Sequence, residues 1–180
     1  SVSDRIMKTS QNISHYYSTM VQKGMFQTEK RLAFYVNHLF QNIDFTEKRF
    51  LDIGGGSGLY SFYGATNGAI STVCLEPEDD GSSANVAKQF HAAKNTLQLK
   101  SAFLEQKTIQ NFSTNHQFDI ILLHNSINHI DEEACIKLHY SDEAQETYRH
   151  ILSQIYDLAS DNAKIIVCDC SRNNFFDFVF

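Results

Sequence analysis

A single proline and no long apolar run set the first limits on this 180-residue chain. No stretch approaches the roughly 20 consecutive apolar residues that a membrane-crossing helix needs. The start, Ser1-Val2-Ser3-Asp4-Arg5, carries no apolar segment behind a basic patch, so no signal peptide is read there. It opens on Ser1 rather than Met, which reads as a trimmed end. Basic tracts are missing and the formal net charge is −6, which speaks against duplex nucleic acid as the main partner. Four cysteines, Cys74, Cys135, Cys168 and Cys170, include no Cys-x-x-Cys pair. That pattern fits a reducing cytoplasm better than a disulfide framework. Internal repeats, low-complexity tracts and linkers are also lacking, which leaves one structural unit.

Glycine is scarce and unevenly spent: four of the eight glycines fall within residues 54–58. Phe50-Leu51-Asp52-Ile53-Gly54-Gly55-Gly56-Ser57-Gly58 reads as a buried strand, a glycine turn and the first turn of a helix. A helix N-terminus placed there aims unpaired N–H groups at a ligand. The dinucleotide fingerprint needs a small residue three places after its second glycine, and Leu59 stands there. A phosphate-cradling loop needs Lys after Gly58, and a hydrolase elbow fails at Leu59 too. What is left is Asp-x-Gly-x-Gly-x-Gly, at Asp52, Gly54, Gly56 and Gly58.

The rest of the chain supplies a frame for that turn. Ile13, Tyr16, Tyr17, Met20 and Val21 recur at helical spacing and predict a helix from about Ser10 to Gln22. Thr28 reads as the N-cap of a second helix to Gln41, with Leu32, Tyr35, Val36, Leu39 and Phe40 on one face. These two form an N-terminal helical cap over residues 1–45, ahead of a ligand-binding domain at 46–180. Tyr16 and Tyr17 read as core, the sharper alternative being that one closes over a ligand.

Strands are predicted at Arg49–Ile53, Ala69–Leu75, Leu97–Phe103, Phe118–His124 and Lys164–Asp169. Helices are predicted from the glycine turn to Thr66, from Ser82 or Ser83 to Ala93, and from Ser141 to Ser160. Five alternations of strand and helix predict a doubly wound, mainly parallel α/β sheet. Such sheets bind ligands beyond the carboxyl ends of their strands. Gly54, Glu76, Phe103 and His124 are all expected on that edge, where Glu76 can accept hydrogen bonds from ribose hydroxyls.

The glycine turn resembles motif I of the class I S-adenosylmethionine (SAM)-dependent methyltransferases, and the likeness in order and punctuation spans about Arg49 to Asp169. The resemblance implies a Rossmann-like sheet and SAM as cofactor. It gives Asp52, Gly54, Gly55, Gly56 and Gly58 to the methionine part and Glu76 to the ribose. The family's adenine-binding acid after strand three is replaced here by Ser101-Ala102-Phe103-Leu104-Glu105, so adenine is expected on Ala102, Phe103 and backbone. His124 opens the segment through His129 that would lie between cofactor and substrate, and is expected among the cofactor contacts. The family's sheet ends in two further strands, an antiparallel hairpin. These are expected to be missing here, leaving the domain truncated and the strand-five edge bare for self-association.

Methyl transfer from a sulfonium is an in-line displacement, so alignment and dryness are what a protein adds. His129 is the candidate base for an acceptor that must lose a proton. No metal is assigned: His124, His129, Cys135 and His139 match no closed zinc pattern, and Asp131-Glu132-Glu133 reads as a solvated loop. No Asn/Asp-Pro-Pro-Tyr motif follows strand four, which argues against amino-directed methylation of nucleic acid. The expected activity is methyl transfer to a small-molecule acceptor. A cofactor-binding module without chemistry is the alternative, and a nicotinamide-dependent enzyme is disfavoured by Leu59.

Overall fold

In a computed structural model of the chain, the described residues are 2–77 and 85–169, with side chains from residue 11 onward. Successive side chains of a strand point to opposite faces, so residues two apart share one, and this alternation builds the molecule. Five strands run in the order β3-β2-β1-β4-β5: β1 (Arg49–Ile53), β2 (Ser71–Leu75), β3 (Ala102–Glu105), β4 (Phe118–His124) and β5 (Ala159–Cys168). Every neighbouring pair is parallel. The order reverses direction between β1 and β4, the switch point at which such sheets open a crevice.

One face is covered by α1 (Val2–Gln22), α2 (Glu29–Leu39), α3 (Leu59–Thr66) and α4 (Val86–Leu97). Tyr16, Met20, Leu32, Val36, Phe62 and Phe90 pack there against Phe50, Cys74, Ala102, Ile120 and Leu122. The opposite face buries Leu51, Ile53, Leu75, Ile121 and Leu123 under Ile151 and Ile155 of α6 (Asp142–Asp157). A short helix, α5 (Glu132–Lys137), and a 3-10 turn at Ile109–Asn111 complete the described elements. Ile121, Leu122 and Leu123 are at most 1% exposed, so each contributes about 1.5–3 kcal/mol of hydrophobic stabilisation. Three helices, α2, α5 and α6, start on side-chain caps. Thr28 accepts from the Arg31 N–H, Asp131 from Ala134 and Ser141 from Ala144.

Several boundaries differ from the sequence reading. The first helix begins at Val2 rather than near Ser10, and the second ends at Leu39, two residues short of Gln41. β2 starts at Ser71 rather than Ala69. Leu97 to Ser101 is not strand: α4 runs through Leu97 and stops where Gln98 turns left-handed, at φ 54°. β3 therefore begins only at Ala102 and extends to Glu105. The helix caps expected at Ser82 or Ser83 lie outside the described residues. α6 ends at Asp157, and β5 starts at Ala159 instead of Lys164, because Ser160 donates to the Asp119 carboxylate across the start of β4. The acidic run read as a loop caps and opens α5: Asp131 is its N-cap, and Glu132 and Glu133 fill its first turn.

Candidate functional site

The bend after β1 is shaped by close approach. Gly54 turns left-handed, at φ 68°, and its N–H donates to the Leu75 carbonyl at 2.7 Å. A Cβ there would stand 2.5 Å from the Ser126 Cβ, so only glycine lets the β1 and β4 ends meet. A Cβ on Gly55 would stand 2.6 Å from an Asp52 oxygen and 2.7 Å from the Cys74 sulfur. Gly56, at φ 54°, differs: a Cβ there meets nothing within 4 Å, so the crest of the bend is bare backbone. Its N–H donates to the Glu76 carboxylate at 2.9 Å. Glu76 thus sits at the mouth of the bend.

Asp52 lies beneath it, 1% exposed. One oxygen accepts from the Ser61 hydroxyl at 2.9 Å, and the other has no hydrogen-bond partner among the described residues. Burial pushes its carboxyl up to about 7; the Ser61 hydrogen bonds oppose this and the nearby Glu76 charge adds to it. A buried acid with one unpartnered oxygen is costly to ionise unless a cation stands beside it.

A cavity of about 250 Å³ opens at the switch point. Its wall is Ile53 and Gly54 after β1, Leu75, Glu76 and Pro77 after β2, Lys107 to Gln110 after β3, and Asn125, Ser126, His129 and Ile130 after β4. His129 is exposed and bonds the Glu132 carboxylate through Nδ1 at 2.6 Å. A carboxylate only accepts, so Nδ1 carries the hydrogen of that bond.

Two expected contacts are not on this edge. Ala102 pairs with Thr72 and is fully buried in the core. Phe103 pairs with Val73, one strand step lower than Glu105, and lies 46% exposed with Lys94 over its ring at 5.1 Å. Neither lines the cavity, because β3 ends at Glu105 and carries its carboxyl edge to Lys107–Gln110. Those four residues went unseen for the same reason. The signal for them was the polar run Glu105-Gln106-Lys107-Thr108 that follows Ala102-Phe103-Leu104.

His124 ends β4 but faces α2 and α3, away from the cavity. Its Nε2 lies 2.6 Å from the Tyr35 hydroxyl and 3.3 Å from that of Tyr60. Burial lowers its pKa, so the ring is neutral near pH 7. Spacing places Tyr35 on the apolar face of the second helix, and nothing in the sequence marks Tyr60. Tyr16 is wholly buried, with its hydroxyl on the Leu59 carbonyl at 2.9 Å, so it is core and closes over nothing. Among the described residues no three His, Cys, Asp or Glu side chains converge to hold a metal.

No family model matches the chain. It is similar to the histone-arginine methyltransferase CARMER of Drosophila willistoni, 28% identical over 142 residues, which cover 78% of this chain and 24% of that protein. The chain spans about a quarter of the length of the curated relatives it matches. Coclaurine N-methyltransferase, solved with N-methylheliamine and SAH, aligns with a TM-score of 0.54 at 14% identity, over 77% of this chain and 34% of that one. DhpI, solved with SAM and HEP, aligns with a TM-score of 0.54 at 10% identity, over 96% of this chain and 67% of that one. The strand order, the parallel pairing and these likenesses establish the fold as that of the class I SAM-dependent methyltransferases.

Proposed function

We propose that this chain, having the class I methyltransferase fold, binds SAM at the glycine bend and forms the catalytic domain of a methyltransferase. The observation that carries the reading is the Glu76 carboxylate held on the Gly56 N–H, at the mouth of a bare backbone crest. The residues suit the cofactor's chemistry. Glu76 offers two acceptor oxygens to ribose hydroxyls, and the buried Asp52 offers a charge to the cationic methionine end. Gly56 leaves bare backbone at the crest for it, while Gly54, Gly55 and Gly58 let the bend close against Ser126, Asp52 and Phe90. When bound, the cofactor supplies a methyl group on a sulfonium sulfur. We assign His129 as the base: Glu132 fixes its Nδ1–H, and Nε2 takes the proton that the acceptor loses.

The acceptor proposed is a small molecule. Asn125, Ser126 and His129, which line the cavity after β4, offer an amide, a hydroxyl and an imidazole but no acid, whereas a guanidinium is held best by carboxylates. The CARMER relatives favour a protein arginine as the second reading. We also propose that the β5 edge associates with a second copy: among the described residues β5 pairs with β4 alone, and Ile165 and Val167 are 43% and 54% exposed. A reducing compartment, the cytoplasm, suits Cys74, Cys135 and Cys168, none of which is joined in a disulfide among the described residues.

Titration calorimetry with SAM, its demethylated product S-adenosylhomocysteine (SAH) and NAD tests the cofactor. Binding of the first two and not the third is expected, and NAD binding alone would overturn the reading. Turnover of methyl-labelled SAM against a metabolite panel and against histone separates the two acceptors. Label on histone alone would remove the small-molecule assignment.

A further inference from the structure

Ser126 follows β4, is 6% exposed, and its hydroxyl has no hydrogen-bond partner among the described residues. Buried hydroxyls are nearly always paired, and leaving one bare is destabilising. Two other buried hydroxyls share this state, Thr19 and Thr72. Neither lines the cavity; Ser126 does. Its Cβ and Oγ lie 2.5 and 3.3 Å from where a side chain on Gly54 would begin, so the hydroxyl is seated against the glycine bend. Glu76 bounds the same cavity from the β2 side.

We propose that Ser126 is a cofactor-binding residue, whose hydroxyl takes its missing hydrogen bond from the nucleoside part of the bound cofactor, on the β4 side of the cavity. This rests on the SAM reading above. Among the described residues of the free protein the hydroxyl is bare, and the ligand satisfies it. Removing the hydroxyl therefore has opposite effects on the two states. The free protein gains stability because a bare buried group is gone, while the complex loses a contact.

The test uses SAH and adenosine as probes, with thermal melts of the free protein and calorimetry of the complexes. Ser126→Ala is expected to bind both probes about five- to tenfold more weakly, while the ligand-free Tm rises by about 2–4 °C. Thr72→Val, which removes a bare hydroxyl in the core, is expected to raise Tm and leave both affinities unchanged. If Ser126→Ala binds SAH within twofold of the wild type, the assignment is wrong. A lower Tm in the free variant would also overturn it, since the hydroxyl would then be satisfied without ligand. If the wild type binds neither probe, the SAM reading itself falls and this one goes with it.

Discussion

Asp52 and Glu76, both proposed to hold the cofactor, differ in their surroundings. Asp52 is buried, and its carboxyl, ordinarily near 3.8, is pushed up to about 7. The folded state thus keeps this proton to higher pH than the unfolded chain does. The neutral group's contribution to stability is complete below about pH 4 and is lost as pH rises through about 7. The ligand-free Tm should therefore fall between pH 5 and 8, and Asp52→Asn should flatten that fall in thermal melts across the range. A cation beside Asp52 favours its ionised form, so wild-type affinity for SAM should rise about fivefold from pH 6 to pH 7 in calorimetry. An affinity independent of pH would separate Asp52 from the cation. Glu76 is partly exposed, and its role is at the surface of the bend. Glu76→Ala should cost SAH about tenfold or more in affinity and shift Tm by less than about 2 °C. Both acids were legible in sequence because each sits at a fixed place, inside β1 or just past β2. Ser126 was legible only as part of a stretch, since a bare hydroxyl is a property of packing.

At the scale of elements, the bend works because α3 and α4 leave it no room to relax. Gly58 sits at φ 93°, and a Cβ there would lie 2.6 Å from the Phe90 ring and 3.0 Å from that of Phe62. Gly58→Ala combines left-handed strain with overpacking and should cost about 2–4 kcal/mol in chemical denaturation. Gly24 is also left-handed, at φ 69°, but opens on empty space, so Gly24→Ala should cost about 1 kcal/mol. Equal losses at the two positions would contradict the packing argument. β1 and β4 were read with their true bounds because each is a short apolar run with clear ends. β3 was misplaced because Leu97 and Leu99 continue an apolar pattern that the left-handed Gln98 interrupts. That shift of a few residues put the expected adenine contacts at Ala102 and Phe103, whereas the residues that line the cavity after β3 are Lys107–Gln110.

At the scale of the whole molecule, a parallel sheet with helices on both faces fixes where a ligand can lie, and the alternating elements alone revealed it. The cap's packing onto the sheet was not legible, because Tyr35 meets His124 across 89 positions of sequence. The β5 edge carries its own prediction. Sedimentation at rising concentration should show self-association that Val167→Lys abolishes while SAH affinity is kept. A wild type that stays monomeric would remove the edge proposal. The central claim is that Glu76 and the glycine crest receive an adenosyl cofactor. It is tested most directly by an amide NMR titration of the chain with SAH. The account predicts large shifts at Gly54, Gly56 and Ser126 and none at Phe103; saturating SAH that leaves the Gly56 amide unmoved would contradict it.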